Sequence, residues 1–347
     1  MNPVKNEFEM TFFSRIVRYF RVRKQFVSQQ MGIFVALLIF GGTFAIISPA
    51  FRDFTNLLNV SVNISFTLLV AFALNLLLIS GGIDLSVGST MGLSACTMAA
   101  AIVQYNVHPI GGIFIGLLSA MLVGVFNGFF ITKFKLPPLL VTLGMLILVR
   151  GLCYIATRYF TIQLTEEFAG SLIIWLGKGK VLSIPFPIFV AIIFFIICLT
   201  IQSRTIIGRN LYAIGGKEET ARLSGIKVDR IHMIFYIFTG FSAGVSGILL
   251  AGILQSAQPV IGEGMEFKAI TAILVGGTSL FGGRGSIIGT VFGAMLVGIV
   301  FNFAVILNLP FFATPVIEGS IIILAVLLDT QMQKRFAKAM VRARRPA

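Results

Sequence analysis

Charged residues are scarce in this sequence. Only 12% of the 347 residues are Asp, Glu, Lys or Arg. An average soluble domain carries about 25% charged residues, so a water-exposed surface of ordinary composition is excluded. In their place, 57% of the residues are hydrophobic. This balance favours a protein whose outer surface contacts lipid.

Residues that bind metals, form disulfides or act as nucleophiles are also few. The sequence holds two histidines and three cysteines, Cys96, Cys153 and Cys198. The cysteines lie in apolar stretches, where a thiol behaves as a small buried hydrophobe. No disulfide framework, metal site, cofactor or catalytic residue is therefore predicted, and an enzyme embedded in the membrane is the least favoured function.

Long uncharged runs dominate what is present. About 18 apolar residues cross the hydrocarbon layer as a helix, and helices satisfy every backbone hydrogen-bonding group there. The sequence therefore predicts an all-α, polytopic membrane protein with about ten transmembrane helices. These lie at roughly 32–49, 58–80, 84–104, 110–132, 136–157, 184–203, 231–254, 266–281, 287–307 and 313–329.

The positions of the basic residues orient these helices. With the N-terminus in the cytoplasm, 21 of the 27 Lys and Arg residues fall on the cytoplasmic side, as the positive-inside rule requires. Both termini are thus predicted to be cytoplasmic. A basic N-terminal segment (1–30) and a basic tail (331–347) flank a transmembrane domain (31–330). Since the charge of +14 follows one side of the membrane, no nucleic-acid partner is predicted.

Four polar or glycine-rich interruptions separate the runs. One, at 158–183, is predicted outside and carries charges of both signs, which would steer a docking protein as readily as they would solvate a loop. Another, at 204–230, is predicted inside. Two glycine-rich segments, Ser80 to Ser89 and Gly276 to Ser286, fall at cytoplasmic ends of predicted helices.

The inside loop 204–230 predicts a short helix from Lys217 to Ser224. Glu218 and Glu219 suit the positive end of its dipole, and Gly225 can adopt the left-handed conformation that closes a helix. A small helix with an apolar edge and charged flanks is suited to dock in a groove of a partner. A solvated surface helix is the alternative.

Several motifs resemble those of one family. Glu219-x-Ala221-x-x-x-Gly225 resembles the coupling loop of ATP-binding-cassette importer permeases. Blocks beginning at Gly81 (GGIDLSVGS), Ala213 (AIGG), Ser256 (SAQP) and Gly276 (GGTSLFGGRGS) follow in order. Together they resemble the permease subunits of ribose-type (monosaccharide) ABC importers over roughly residues 56 to 330. Residues 1–30 lie outside the resemblance.

The resemblance implies a multi-pass subunit of the bacterial inner membrane. Its expected partners are cytoplasmic ABC ATPase subunits, a periplasmic sugar-binding protein, and a second permease chain in a homodimer or heterodimer. The sequence has no Gly-x-x-x-x-Gly-Lys-Ser/Thr phosphate loop, so a partner must hydrolyse the ATP. The residues expected to contact the ATPase are Lys217, Glu218, Glu219, Ala221, Arg222, Leu223 and Gly225.

Polar residues beside or within the apolar runs are candidates for a gate or pore. They are Asp84, Ser86, Asn63, Asn75, Gln255, Thr278 and Ser279. An acidic group at membrane depth is costly without partners, yet Asp84 or Ser86 would equally cap the helix that follows. For the amides, hydrogen bonding between helices is the alternative to lining a path.

The solute is left open at this stage. A ribose-like monosaccharide is expected from the resemblance, while a sugar-derived signal, a nucleoside or a branched-chain amino acid is also compatible with it. The competing hypothesis is an ion-coupled secondary sugar transporter, a class that often carries paired carboxylates inside the membrane.

Overall fold

The computed structural model describes residues 31–310 and 313–342. The predicted cytoplasmic segment 1–30 and the end of the predicted tail, 343–347, lie outside the described residues. Within them the chain forms helices α1 (Met31–Ile47), α2 (Pro49–Arg52), α3 (Phe54–Ile79), α4 (Val87–Val103), α5 (Pro109–Lys133), α6 (Pro138–Thr157), α7 (Glu166–Lys178), α8 (Phe186–Arg204), α9 (Ile206–Gly216), α10 (Glu218–Leu223), α11 (Val228–Leu254), α12 (Met265–Val275), α13 (Ile287–Ile306) and α14 (Ala313–Arg342).

Sheet structure is minimal in the described part of the chain. Strand β1 (Ile162–Gln163) pairs antiparallel with β4 (Ser256–Ala257), and β2 (Lys180–Val181) pairs with β3 (Ile184–Pro185). The predicted all-α membrane class is therefore confirmed.

Six helices in the described residues are long and apolar enough to cross a membrane: α3, α5, α6, α8, α11 and α13. Shorter apolar helices are α1, α4 and the stretch Ala313–Leu327 of α14. Each predicted run coincides with a helix, but the run 266–281 was drawn too long. Its helix α12 ends at Val275, and 11 residues rise only about 16 Å.

The early end of α12 has a backbone cause. Gly276 and Gly277 follow Val275, and Gly277 takes a positive φ of 88°, which favours glycine and breaks a helix. The residues after it are apolar enough to continue the hydrophobic run, which is why composition alone overestimated its length.

The centre of the fold is built on α3 and α11. In the most apolar stretch of each helix, 72% of α3 and 61% of α11 are buried, against 22% in α6 and α8. Small residues let α5 approach α11 closely, since Gly124 lies against the backbone of Tyr236 and Gly240 against that of Ala120. Such close contacts stabilise helix pairs in membranes. The exposed apolar faces of α6 and α8 suit contact with lipid.

The interruption 158–183, treated as a loop on sequence grounds, contains the helix α7. Ile173 on α7 is fully buried, and Gly177 packs against the backbone of Gly252 on α11. Because both ends of this segment are polar, the sequence did not predict the helix between them, which packs on the core.

Candidate functional site

The segment between α8 and α11 folds as two short helices. Thr205 caps α9, because its Oγ1 accepts a hydrogen bond from the Gly208 N–H at 3.1 Å. The predicted helix Lys217 to Ser224 is present as α10, with Lys217 at its N-cap and Gly225 at a φ of 82°. The sequence analysis missed α9, because Gly208, Gly215 and Gly216 give it a low helix propensity.

Ion pairs fix α10 to its neighbours. Arg222 pairs with Glu218 at 2.7 Å and with Asp229, in the first turn of α11, at 2.5 Å. Asp229 also pairs with Lys135, between α5 and α6, at 2.6 Å. The hydrogen bonds that Arg222 donates to Asp229 and Glu218 raise the pKa of Arg222 above its ordinary value. These pairs join α10 to the start of α11 and, through Asp229, to the loop between α5 and α6.

The outward face of α10 is exposed. Ala221 is the buried residue of this helix, whereas Leu223 is 85% exposed. Lys217 and Glu219 are exposed as well and lie 3.5 Å apart. An apolar side chain beside charged ones, all directed away from the core, is the arrangement expected of a docking surface.

The two glycine-rich segments meet at α9. The Gly283 N–H donates a hydrogen bond to the Ile79 carbonyl at 2.8 Å, and Gly215 of α9 lies directly against both groups. Gly282, with a φ of 78°, lies against Gly81 and Gly215. We call these residues, Ile79, Gly81, Gly215, Gly282 and Gly283, the glycine junction. The sequence predicts that both segments lie at cytoplasmic ends of helices, but it does not predict this contact between them.

Asp84 lies in a buried polar cluster between α3 and α4. Its Oδ1 accepts hydrogen bonds from the Ser86 N–H at 2.8 Å and from the Ser86 hydroxyl at 2.6 Å. The Asn127 amide of α5 donates to both carboxylate oxygens at 3.3 and 3.4 Å, and Thr239 of α11 lies 3.3 Å away. Ser86 makes no side-chain cap on α4. Asp84 thus ties the start of α4 to two core helices.

Asn75 and Thr278 form a second buried cluster. The Thr278 hydroxyl donates to Asn75 Oδ1 at 2.9 Å, and Asn75 Nδ2 donates to the Thr290 hydroxyl at 2.7 Å. Asn75 is fully buried and Thr278 and Ser279 are 1% exposed. Ser279 Oγ accepts from the Phe281 N–H at 3.3 Å. This cluster joins α3, the loop 276–286 and α13.

Asn63 and Gln255 are placed differently. Asn63 is exposed on α3, as is Asn59 one turn earlier. Gln255 ends α11 with a φ of 52°, and its carbonyl accepts from the Leu164 N–H at 2.9 Å. The structure therefore brings Asp84 and Ser86 together, brings Asn75 and Thr278 together, and leaves Asn63 and Gln255 apart from both clusters.

Sequence reasoning did not assign a role to two charged residues of the apolar runs. Arg150 donates to the carbonyls of Pro259 and Ile261 and so holds the turn that precedes α12. Glu266 is 5% exposed, lies against Gly88 at the start of α4, and has one side-chain oxygen without a hydrogen-bond partner in the described chain. The signal for both was a charge inside or at the end of an apolar run. No group of metal ligands occurs among the described residues.

Comparison with known proteins gives the same extent as the motifs. Residues 56–328 match the family described as branched-chain amino acid transport system / permease component. The chain is 37% identical over 310 residues to the ribose import permease protein RbsC of Bacillus subtilis (strain 168), covering 89% of this chain and 95% of the relative. It is 34% identical to the ribose import permease protein RbsC of Escherichia coli (strain K12), over 91% and 97% of the two chains.

A relative named for another sugar matches equally well. The L-arabinose transport system permease protein AraH of Escherichia coli (strain K12) is 35% identical over 307 residues, which cover 88% of this chain and 92% of the relative. The family match runs from α3 into α14 and includes the Asp84 cluster, the glycine junction and α10. The chain therefore belongs to this family of permease components of transport systems, and it is a transmembrane transport protein.

Proposed function

We propose that the chain is the permease subunit of a binding-protein-dependent, ATP-driven importer that carries a pentose or related monosaccharide across the bacterial inner membrane. The observation that carries the proposal is the similarity over about nine-tenths of the chain to permeases named for ribose and arabinose. The family description names branched-chain amino acids, whereas these relatives are named for ribose and L-arabinose. The exposed amides of Asn59 and Asn63 suit sugar hydroxyls, because an amide both donates and accepts hydrogen bonds.

In this proposal the chain has ten membrane segments and both termini in the cytoplasm. The six long helices, α1, α4 and the first part of α14 supply nine segments. The short α12 supplies the tenth together with the turns at its two ends. The distribution of basic residues supports this topology. It puts on the cytoplasmic side the basic residues of the α8–α11 connection and the tail, together with Lys133, Lys135 and Arg284.

The ATPase would dock on α10. Leu223 and Glu219 present the exposed contact surface, while Lys217 and Glu218 form the start of the helix. Ala221 packs inward, Arg222 fixes the helix through its ion pairs, and Gly225 turns the chain back toward α11. A helix held in place before the partner arrives loses less conformational entropy on binding.

The solute path would run along the exposed face of α3 that carries Asn63, closed on its other side by a second permease chain. Gln255 stands at the end of α11 as a further candidate for that path. Asp84, Ser86, Asn75, Thr278 and Ser279 would act as the framework of the gate, since their side chains are buried and bonded to other helices. Direct contact with the sugar is thus assigned to Asn63.

Reconstitution tests this function. The permease, co-purified with its ATPase and placed in proteoliposomes with its binding protein, should take up radiolabelled ribose or arabinose only when ATP is present. Labelled leucine tests the amino-acid alternative. Leu223→Asp should abolish co-purification of the ATPase, whereas Lys227→Asp, an exposed residue outside α10, should retain it.

The competing function is an ion-coupled secondary transporter. Glu266 and Glu318 favour it, because each is buried and has a side-chain oxygen without a hydrogen-bond partner in the described chain. Carboxylates inside the membrane mark ion pathways and proton relays. Sugar uptake driven by a proton gradient in vesicles without the ATPase would establish this alternative and refute the importer.

A further inference from the structure

The contact between α9 and the membrane helices is made by backbone atoms. Gly215 lies against the Ile79 carbonyl and the Gly283 N–H, and these two groups are themselves hydrogen-bonded at 2.8 Å. A Cβ at position 215 would overlap both. Because no flexible side chain separates the three segments, a displacement of α9 toward the end of α3 or the loop 276–286 would press directly on their backbone.

Side chains fasten the same loop to α8 and α9. The Tyr212 hydroxyl donates to the Gly285 carbonyl at 2.8 Å, and Gln202 Nε2 donates to the Tyr212 hydroxyl at 2.8 Å. Gln202 Oε1 accepts from the Ile287 N–H at 3.1 Å, at the start of α13. The loop is therefore held by α8 and α9 on one side and by Ile79 of α3 on the other.

A second connection leads from α10 into α11 through residues 224–227, where the Ile226 N–H donates to the Ala221 carbonyl at 3.1 Å. The side-chain part of this connection is the pair that Arg222 makes with Asp229, in which both side chains are about 40% exposed. Exposed ion pairs contribute little and are screened by salt. At the glycine junction, by contrast, the backbone of α9 directly contacts the backbone of α3 and of the loop 276–286.

We propose that Gly215 is a positioning residue of the transport cycle, through which the glycine junction transmits movement of α9 and α10 to the end of α3 and the loop 276–286. The proposal rests on the proposed function. It adds a route: the end of α3 continues into the segment of Asp84, and Tyr236 of α11 donates to the Ile83 carbonyl of that segment at 3.2 Å. The ATPase would thus act on the Asp84 cluster through α3.

The test compares Gly215→Ala with Gly216→Ala. Both residues end α9, and alanine favours a helix equally at both, but a Cβ at Gly216 meets nothing within 4 Å. In proteoliposomes with the ATPase and binding protein, Gly216→Ala should keep the wild-type ratio of labelled ribose transported to ATP hydrolysed. Gly215→Ala should hydrolyse ATP but lower this ratio about tenfold, within the range of single changes along a coupling network. An unchanged ratio would overturn the proposal.

Hydrogen exchange of the same complexes, with and without ATP and vanadate, tests the route without any sugar. In wild type and Gly216→Ala, nucleotide should change amide exchange in both 206–225 and 276–286. In Gly215→Ala nucleotide should change exchange in 206–225 and leave exchange in 276–286 unchanged. The route is refuted if exchange in 276–286 still changes in Gly215→Ala. It is also refuted if nucleotide leaves exchange in 276–286 unchanged in the wild type. Absence of ribose and arabinose uptake in the wild type would contradict the proposed function, and hydrogen exchange would still decide the route.

Tyr212→Phe serves if Gly215→Ala fails to assemble. It removes one hydroxyl from the same loop contact and adds no volume. We expect about a threefold lower transport-to-ATP ratio, again within the range for single changes in such a network. A wild-type ratio in Tyr212→Phe, with Gly215→Ala unfolded, would refute the transmission role and leave Gly215 a packing residue.

Discussion

The Asp84 cluster and the α10 surface use polar groups in opposite ways. Asp84 is 2% exposed and receives hydrogen bonds from Ser86 and Asn127. Arg222 also has two partners, yet its side chain is 38% exposed. A buried polar group is costly without its partners, while an exposed one returns to water. The first region therefore holds this chain together, and the second is available to another chain.

The largest effect expected from this contrast follows removal of the buried carboxylate. Asp84→Ala would leave the Ser86 N–H and hydroxyl without their acceptor, while the Asn127 amide would keep only its 2.9 Å bond to Ser86 Oγ. Unsatisfied buried donors cost about 1–3 kcal/mol each, so we expect the free energy of unfolding to fall by about 3 kcal/mol or more. Denaturant titration of the detergent-solubilised protein, followed by circular dichroism, measures it.

Asp53→Ala is the matched control. Asp53 is exposed and caps α3 by accepting hydrogen bonds from the Thr55 and Asn56 N–H groups at 3.1 and 3.3 Å. Loss of a helix cap costs about 1 kcal/mol. If the two variants lost equal stability, the Asp84 cluster would not have the structural role assigned to it.

A smaller effect should separate two asparagines on the same helix. Asn75→Ala removes both amide contacts, to Thr278 and Thr290, and should lower the free energy of unfolding by about 1 kcal/mol, as expected for hydrogen bonds between membrane helices. Asn63→Ala should leave stability unchanged within about 0.5 kcal/mol, but raise the ribose concentration that gives half-maximal uptake. Unchanged uptake in Asn63→Ala would remove Asn63 from the path.

Local patterns predicted much of the fold. Hydrophobic run length located the long helices, because burial of backbone groups in lipid leaves few alternatives. The α10 helix followed from Lys217, the acidic pair and Gly225, which act on their immediate neighbours. The end of α12 and the helix α7 were missed, because the first depends on a glycine turn inside an apolar stretch and the second on packing against α11.

Contacts between segments that are distant in the chain could not be predicted from the sequence. Asn75 and Thr278 are 203 positions apart, and Asp84 and Thr239 are 155 apart. Asn75, Thr278 and Asp84 were candidates for the gate or pore and Thr239 was not, and nothing in the neighbourhood of any of them specifies its partner. The same holds for Gly215, whose lack of a side chain has meaning only beside Ile79 and Gly283.

The smallest expected effect concerns the exposed region. Arg222→Ala removes the pairs with Glu218 and Asp229, and exposed pairs contribute about 0–1 kcal/mol. The free energy of unfolding should therefore fall by less than about 1 kcal/mol, and the difference should shrink as salt rises from about 0.05 to about 0.5 M, where the Debye length shortens. Lys217→Ala, whose pair with Glu219 is 3.5 Å long and at least 70% exposed on both sides, should change nothing measurable. If Arg222→Ala lowered the free energy of unfolding as much as Asp84→Ala does, and independently of salt, α10 would be part of the folded core. The distinction between the Asp84 cluster, which stabilises this chain, and the α10 surface, which is available to another chain, would then be wrong.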